Sequence, residues 1–127
     1  MDYNDLLNLA RDASKNSYSP YSKFAVGACV LSDSGKTYQG CNFENSSFGM
    51  TICAERNAIG TMITAGDRKI RAVAIYSPNI KNCTPCGACR QVISEFKSDC
   101  GVDIVVEADE GIKIYKIEEL LPETFGI

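Results

Sequence analysis

Three cysteines and one glutamate are the residues of this chain on which chemistry could rest. "ICAERNAIG", residues 52–60, sets Cys53 two positions before Glu55. "TPCGACRQVI", residues 84–93, places Cys86 and Cys89 three positions apart. Thiolates are soft ligands, and zinc takes them at about 2.3 Å. A catalytic zinc keeps three protein ligands and one open position for water. Cys53, Cys86 and Cys89 supply such a set if the two stretches converge. Glu55 would then point near the metal without binding it. There a carboxylate can take a proton from water and return it to a leaving group.

Composition narrows the chemistry further. The chain has seven cysteines and no histidine. That removes every Ser-His and Cys-His pair and every histidine metal ligand. Disulfides are not expected, because the compartment expected for the chain is the cytoplasm. The first residues, "MDYNDLLNLARDASK", carry early acids and lack the long apolar core of a secretory signal. No apolar run approaches the roughly eighteen residues of a membrane span, so no membrane partner is expected. With 45% hydrophobic and 23% charged residues, the chain reads as one soluble globular domain of 127 residues. A net charge of −3 and a pI near 4.9 argue against nucleic acid as the ligand and leave small molecules open.

Both cysteine stretches read as helix starts, where free N–H groups and the helix dipole favour thiolate. Three thiolates on a divalent zinc still leave a net negative site. Arg56 and Arg90 are the nearby cations; Arg56, one turn from Cys53, is the favoured support for the thiolates. Other readings of the same residues stay open at this level. The Cys-x-x-Cys pair can be a redox couple, or half of a structural zinc knot with Cys83 or Cys41 as fourth ligand. Cys29 and Cys41 otherwise read as packed thiols within strands; Cys100 lies near a helix end, and Cys83 stays close enough to the motif to remain a candidate ligand.

The elements that must position these groups follow from periodicity. "YNDLLNLARDAS", residues 3–14, has the spacing of an amphipathic helix, with Asp2 or Asn4 as its cap. Residues 24–32 and 37–44, joined by "DSGK", predict a hairpin. A helix is expected over 53–65 with Gly66 just past its end. A short buried strand over 70–77 precedes a second helix over 86–97. "VDIVVEA" and "IKIYKI" form another hairpin around "DEG", and "EELLPETF" closes the chain as a turn or helix stopped by Pro122. Five strands interleaved with helices call for a sheet with helices packed on its faces. No repeat, linker or low-complexity tract interrupts it.

Cys-x-Glu followed by Pro-Cys-x-x-Cys matches the pattern of zinc-dependent base deaminases. More fully, the chain resembles the short, homotetrameric, zinc-dependent cytidine deaminases. The likeness runs through "SPYSKFAVGA" (19–28), "GCNFENSS" (40–47), "CAER" (53–56), "PCGACRQ" (85–91) and "ELLPETF" (119–125). The zinc core is shared by deaminases of many bases, whereas "YSKF", "CNFEN" and "LLPETF" point to free cytidine. The resemblance implies a single α/β domain over residues 1–127, an α-β-α layered fold with a five-stranded mixed sheet flanked by helices. It implies hydrolytic deamination of cytidine and 2′-deoxycytidine to uridine and 2′-deoxyuridine, with release of ammonia, in cytoplasmic pyrimidine salvage.

It also implies roles residue by residue. Cys53, Cys86 and Cys89 would hold one Zn²⁺ per chain, and Glu55 would shuttle protons. Asn42 and Glu44 would hydrogen-bond the ribose hydroxyls, and the backbone at Ala54 would hold the pyrimidine edge. Phe24 and Phe125 would pack on the base or sugar, Phe125 reaching the site of a neighbouring subunit in a homotetramer. Read without the resemblance, Asn42 and Glu44 are a polar strand end and the two phenylalanines are core aromatics. Glu44 would repel a phosphate, favouring nucleosides over nucleotides. In one departure, Phe48 stands where related chains often carry tyrosine. Two rival functions share parts of the pattern: a deaminase of an aminoacylnucleoside such as blasticidin S, and a non-catalytic zinc module using Cys83.

Overall fold

Alternation along three strands that lie side by side in the sheet sets the architecture. In β1 (Gly27–Ser32) Ala28 and Val30 join one apolar cluster, Cys29 and Leu31 another. β3 (Ile70–Tyr76) repeats the split with Val73 and Ile75 against Ala72 and Ala74. β4 (Asp103–Glu107) does so with Ile104 and Val106 against Val105. Successive side chains of a strand point to opposite faces, so these strands are apolar on both sides and need two covering layers. The computed structural model, which describes residues 1–127, supplies both. α1 (Tyr3–Ser14) covers one face with Leu6, Leu7 and Ala10. α2 (Ala54–Thr64) and α3 (Gly87–Glu95) lie on the other, burying Ala58, Ile59, Met62 and Ile93.

The result is the expected α-β-α arrangement around a mixed five-stranded sheet. Strand order is β2-β1-β3-β4-β5, with β2 (Thr37–Cys41) and β5 (Ile112–Lys116) at the edges. All neighbours are antiparallel except β3 and β4, which are parallel and joined by a crossover through α3. A last short helix, α4 (Ile117–Leu120), ends before Pro122 and packs Ile117 into the larger cluster. No helix is long and apolar enough to cross a membrane.

Helix ends follow local chemistry. Of the two candidate caps of α1, Asp2 is the one used: its carboxylate accepts from the Asn4 N–H at 2.8 Å. At the end of α2, Gly66 has φ +100°, the left-handed conformation that glycine adopts without penalty. The Gly66 N–H bonds Ile63 O and the Asp67 N–H bonds Met62 O, the pair of bonds of a Schellman termination.

Both strands of the first hairpin are shorter than their apolar patterns predict. β1 starts at Gly27 rather than Phe24, and β2 stops at Cys41 rather than Glu44. The Asn42 side chain is the cause. Its amide donates to Phe24 O at 2.8 Å and accepts from the Val26 N–H at 3.0 Å, taking backbone groups a ladder would have used. Beyond it the chain turns away, pairing Phe43 with Ile52 and Glu44 N with Tyr18 O.

Gly40 sets how closely α2 sits on β2. A methyl group there would stand 2.5 Å from the Ala58 nitrogen and 2.6 Å from the Ala54 carbonyl oxygen. Both are helix backbone, which cannot swing aside. Gly40→Ala is therefore expected to lose about 1–3 kcal/mol in denaturant unfolding. It should also weaken metal retention, because Cys53 and Glu55 ride on the displaced helix start. Gly60→Ala, on the open side of α2 with no atom in reach, serves as control. It should be neutral or gain up to about 1 kcal/mol.

Candidate active site

α2 and α3 both rest on the same face of the sheet, and each begins at a cysteine. Cys53 and Cys86 are the residues immediately before their helices, and neither side chain is used to cap the helix it precedes. Cys89 lies in the first turn of α3, buried. The three sulfur atoms lie within 4.8 Å of one another, with Cys53 and Cys86 3.9 Å apart. Tetrahedral zinc with bonds of about 2.3 Å separates its sulfurs by about 3.8 Å. The cluster therefore fits one zinc ion with little movement. Neither Cys83 nor Cys41 belongs to it. Cys83 packs against the larger apolar cluster and Cys41 ends β2, so the knot with a fourth thiolate lacks its fourth ligand.

The thiols share their protons unequally. The Cys53 thiol is pulled down to about 5, first by its hydrogen bond with Cys89 and, against burial, by Arg56. Cys89 is pushed up by the same hydrogen bond and by burial, with Glu55, Cys53 and Cys86 adding their charge. Of the two candidate cations, Arg56 is the one at the sulfurs. Its Nη2 stands 3.6 Å from Cys53 Sγ and 3.4 Å from Thr51 O. Arg90 commits its donors elsewhere, to Pro85 O at 2.6 Å, Leu120 O at 2.9 Å and Thr84 Oγ1 at 3.3 Å. It braces the loop before Cys86 rather than the thiolates.

Glu55, the second residue of α2, is only 4% exposed. Burial raises its carboxyl to about 7; the charge of Cys53 adds to this, while a backbone N–H, Cys89 and Arg56 oppose it. An acid poised there can both take and give a proton near neutral pH.

A cavity of about 360 Å³ opens above this cluster. Its floor includes Cys53, Ala54, Glu55 and Cys86, and its walls include Phe24, Asn42 and Glu44. Four residues singled out from sequence, Phe24, Asn42, Glu44 and Ala54, are thus brought to one place. Glu44 is held as a carboxylate: Oε1 accepts from the Tyr21 and Ser22 N–H groups at 3.0 and 3.1 Å, and Oε2 from the Ser22 hydroxyl. These bonds, the Ser22 hydroxyl foremost, lower its pKa. Asn42 is more than a polar strand end, since its amide clamps the Phe24–Val26 segment and one N–H remains free. Cys83 also lines the cavity, its thiol pushed up to about 11 by burial and by Glu55. Ser22, Val26, Thr51 and Thr84 complete the wall without having been singled out. For Ser22 the only signal was its place within "YSKF".

Phe125 is not in this cavity. It is 72% exposed on a terminal segment laid along α3, where Gln91 Nε2 donates to its carbonyl at 3.1 Å. Nor are Phe24 and Phe125 core aromatics, since neither belongs to a buried cluster. Phe48 is equally exposed and meets Tyr21 edge-on, ring centres 5.9 Å apart. A larger cleft, about 540 Å³, lies between α1 and β2, but Asp12 and Cys41 are its only titratable lining.

Comparison with known proteins agrees with this fold and with a zinc-binding region. A family model described as the cytidine and deoxycytidylate deaminase zinc-binding region matches residues 1–104. A cytidine deaminase of Sporosarcina psychrophila is 39% identical over 126 residues, 99% of this chain and 93% of that protein. One from Mycobacterium tuberculosis is 36% identical over 127 residues, 100% of this chain and 92% of that protein. The crystal structure of cytidine deaminase from Burkholderia pseudomallei superposes with a TM-score of 0.90 at 35% identity, covering 98% of this chain and 100% of that one. That of the M. tuberculosis enzyme gives 0.87 at 35% identity, covering 100% and 99%. With a family model matched over residues 1–104, relatives above 30% identity along nearly the whole chain and the same fold, the chain belongs to the cytidine and deoxycytidylate deaminase zinc-binding family.

Proposed function

We propose that this chain is a cytidine deaminase, one domain over residues 1–127, hydrolysing cytidine and 2′-deoxycytidine to uridine and 2′-deoxyuridine with release of ammonia. The observation that carries this reading is the meeting of three thiols and one buried carboxyl at the floor of a cavity walled by Asn42 and Glu44. Zinc bound by Cys53, Cys86 and Cys89 supplies Lewis acidity that makes water a nucleophile at neutral pH. Glu55 takes a proton from the water that attacks C4 of the cytosine ring and delivers a proton to N3. It then carries the proton of the new C4 hydroxyl to the 4-amino group, which leaves as ammonia as the C4–N bond breaks and the C4 carbonyl forms. Arg56 offsets the excess negative charge of the sulfurs. Asn42, through its free N–H, and Glu44, as an acceptor, hold the sugar hydroxyls; Phe24 and the Ala54 backbone hold the ring. The Glu44 carboxylate disfavours a nearby phosphate, so nucleosides are preferred to nucleotides.

The assembly belongs to the same proposal: a homotetramer in which Phe125 covers a neighbour's cavity. Two features support it. Phe125 is exposed and does not line the cavity of its own chain that holds Cys53 and Glu55. Tyr18, Tyr21, Phe43, Phe48 and Met50, all exposed, gather on the segments around the cavity mouth, an apolar grouping of the kind interfaces cover. A cytoplasmic salvage role fits seven unpaired cysteines, which suit a reducing compartment.

Four outcomes test this. Glu55→Gln should retain one zinc per chain while turnover, followed by loss of cytosine absorbance, falls about 10²–10⁴-fold; an active variant would sink the shuttle role. Chelation should abolish activity and added zinc restore it. In parallel, Cys83→Ser should keep its zinc, whereas a structural knot through Cys83 would lose it. Finally, Phe125→Ala and Glu55→Gln chains, each poorly active alone, should regain activity when dissociated and reassembled together. Mixed assemblies then pair an intact floor with an intact phenylalanine. No gain on mixing would show that sites are not shared between subunits.

A further inference from the structure

The cavity wall carries a strap that the reaction scheme leaves unused. Ser22 lies in the loop before β1 and Glu44 beyond the end of β2, 22 residues apart in sequence. Three donors from one side meet the Glu44 carboxylate. Oε1 takes the Tyr21 and Ser22 N–H groups, and Oε2 takes the Ser22 hydroxyl. The same hydroxyl oxygen accepts from the Phe24 N–H at 3.1 Å. Between them Lys23 sits at φ +60°, a left-handed conformation uncommon for a residue with a side chain. The Ser22-to-Phe24 bond closes that turn as a side chain-to-backbone link two residues on. One hydroxyl therefore joins the acidic wall, Glu44, to the aromatic wall, Phe24.

We propose that Ser22 is a positioning residue for the sugar end of the site, its hydroxyl aiming the Glu44 carboxylate at the sugar hydroxyls of the nucleoside. The inference rests on the reading of Glu44 as the group that accepts from the sugar. An ionised carboxylate offers about four acceptor positions. The strap occupies three, so the remaining one, on Oε2, is left for a hydroxyl donated from the cavity. Without the Ser22 hydroxyl, Oε1 stays anchored by two backbone donors, but Oε2 loses the bond that sets the plane of the group. Such a device acts on sugar binding and not on proton transfer at Glu55. A residue that merely held the turn would instead affect every ligand alike.

The test compares Ser22→Ala, Ser22→Thr and Glu44→Gln, each with unchanged zinc content and circular dichroism. Their kcat and KM are measured for cytidine and for 2′,3′-dideoxycytidine, which lacks the hydroxyls in question. Ser22→Ala is expected to raise KM for cytidine about five- to tenfold, the scale of one hydrogen bond. Its kcat should stay within about twofold, and its KM for the dideoxy analogue should be unchanged. Ser22→Thr, which keeps the hydroxyl, should restore cytidine binding. Equal losses on both substrates, or no loss with cytidine, would overturn the proposal while leaving Glu44 untouched. A Glu44→Gln variant that treats both substrates alike would overturn the sugar reading itself, and the proposal with it.

Discussion

Negative charge packed into a small volume is the constraint on which this structure turns. Two bare thiolates at the 3.9 Å separation of Cys53 and Cys86 repel by about 4 kcal/mol at the effective dielectric of a protein surface. A helix N-terminus returns roughly 0.3–1 kcal/mol, at best about 2. Two helix starts therefore cannot hold three thiolates; a divalent cation can. Even then the centre is left one negative charge in excess, which accounts for a guanidinium at the sulfurs; beside them burial raises the carboxyl of Glu55, and the charge of Cys53 adds to it. Ligation, proton sharing and the acid–base residue are parts of one electrostatic balance, and moving any of them moves the others.

The sheet exists, in functional terms, to bring two helix starts together. Strands apolar on both faces require helices on both, and the two that follow β2 and β3 land on the same side. Their approach depends on small residues where backbones meet. Gly40 has helix backbone 2.5 Å from where its Cβ would be, and Gly27 has the Ala10 carbonyl oxygen at 2.0 Å on the opposite face. The price is paid at the first hairpin, where the Asn42 amide replaces ladder bonds and frees the Phe24–Val26 segment to become a wall. Function therefore sits where regular structure stops, a common place for binding groups on a rigid scaffold.

Much of this was legible because its signals are local. Short apolar runs bounded by turn signals marked the central strands, glycine and proline marked the ends of α2 and α4, and Cys-x-Glu with Cys-x-x-Cys marked the chemistry. The misplaced strand ends have one origin. An apolar run says nothing about whether a distant side chain will take a strand's backbone groups, as Asn42 does. Arg56 and Arg90 flank the ligands equally well in sequence, and one turn of helix was the only hint that Arg56 faces the sulfurs. Ser22 carried no signal of its own, since its partner lies 22 residues away.

By itself the sequence determined which groups could react: three thiols, one carboxyl, no imidazole, and helices whose first turns would carry them. It also determined the layering, because burial of both faces of a strand is written residue by residue. Only the tertiary structure decided that Cys53 meets Cys86, 33 positions away, at a zinc-like spacing. Only it decided that the Glu55 carboxyl is stripped of water, that Arg56 and not Arg90 offsets the sulfurs, and that Phe125 leaves its own cavity uncovered. The physical reason is common to all four. Desolvation, charge–charge distance and hydrogen-bond partnership depend on separations in space, and residues far apart in sequence acquire those only when the sheet has closed and its helices have docked.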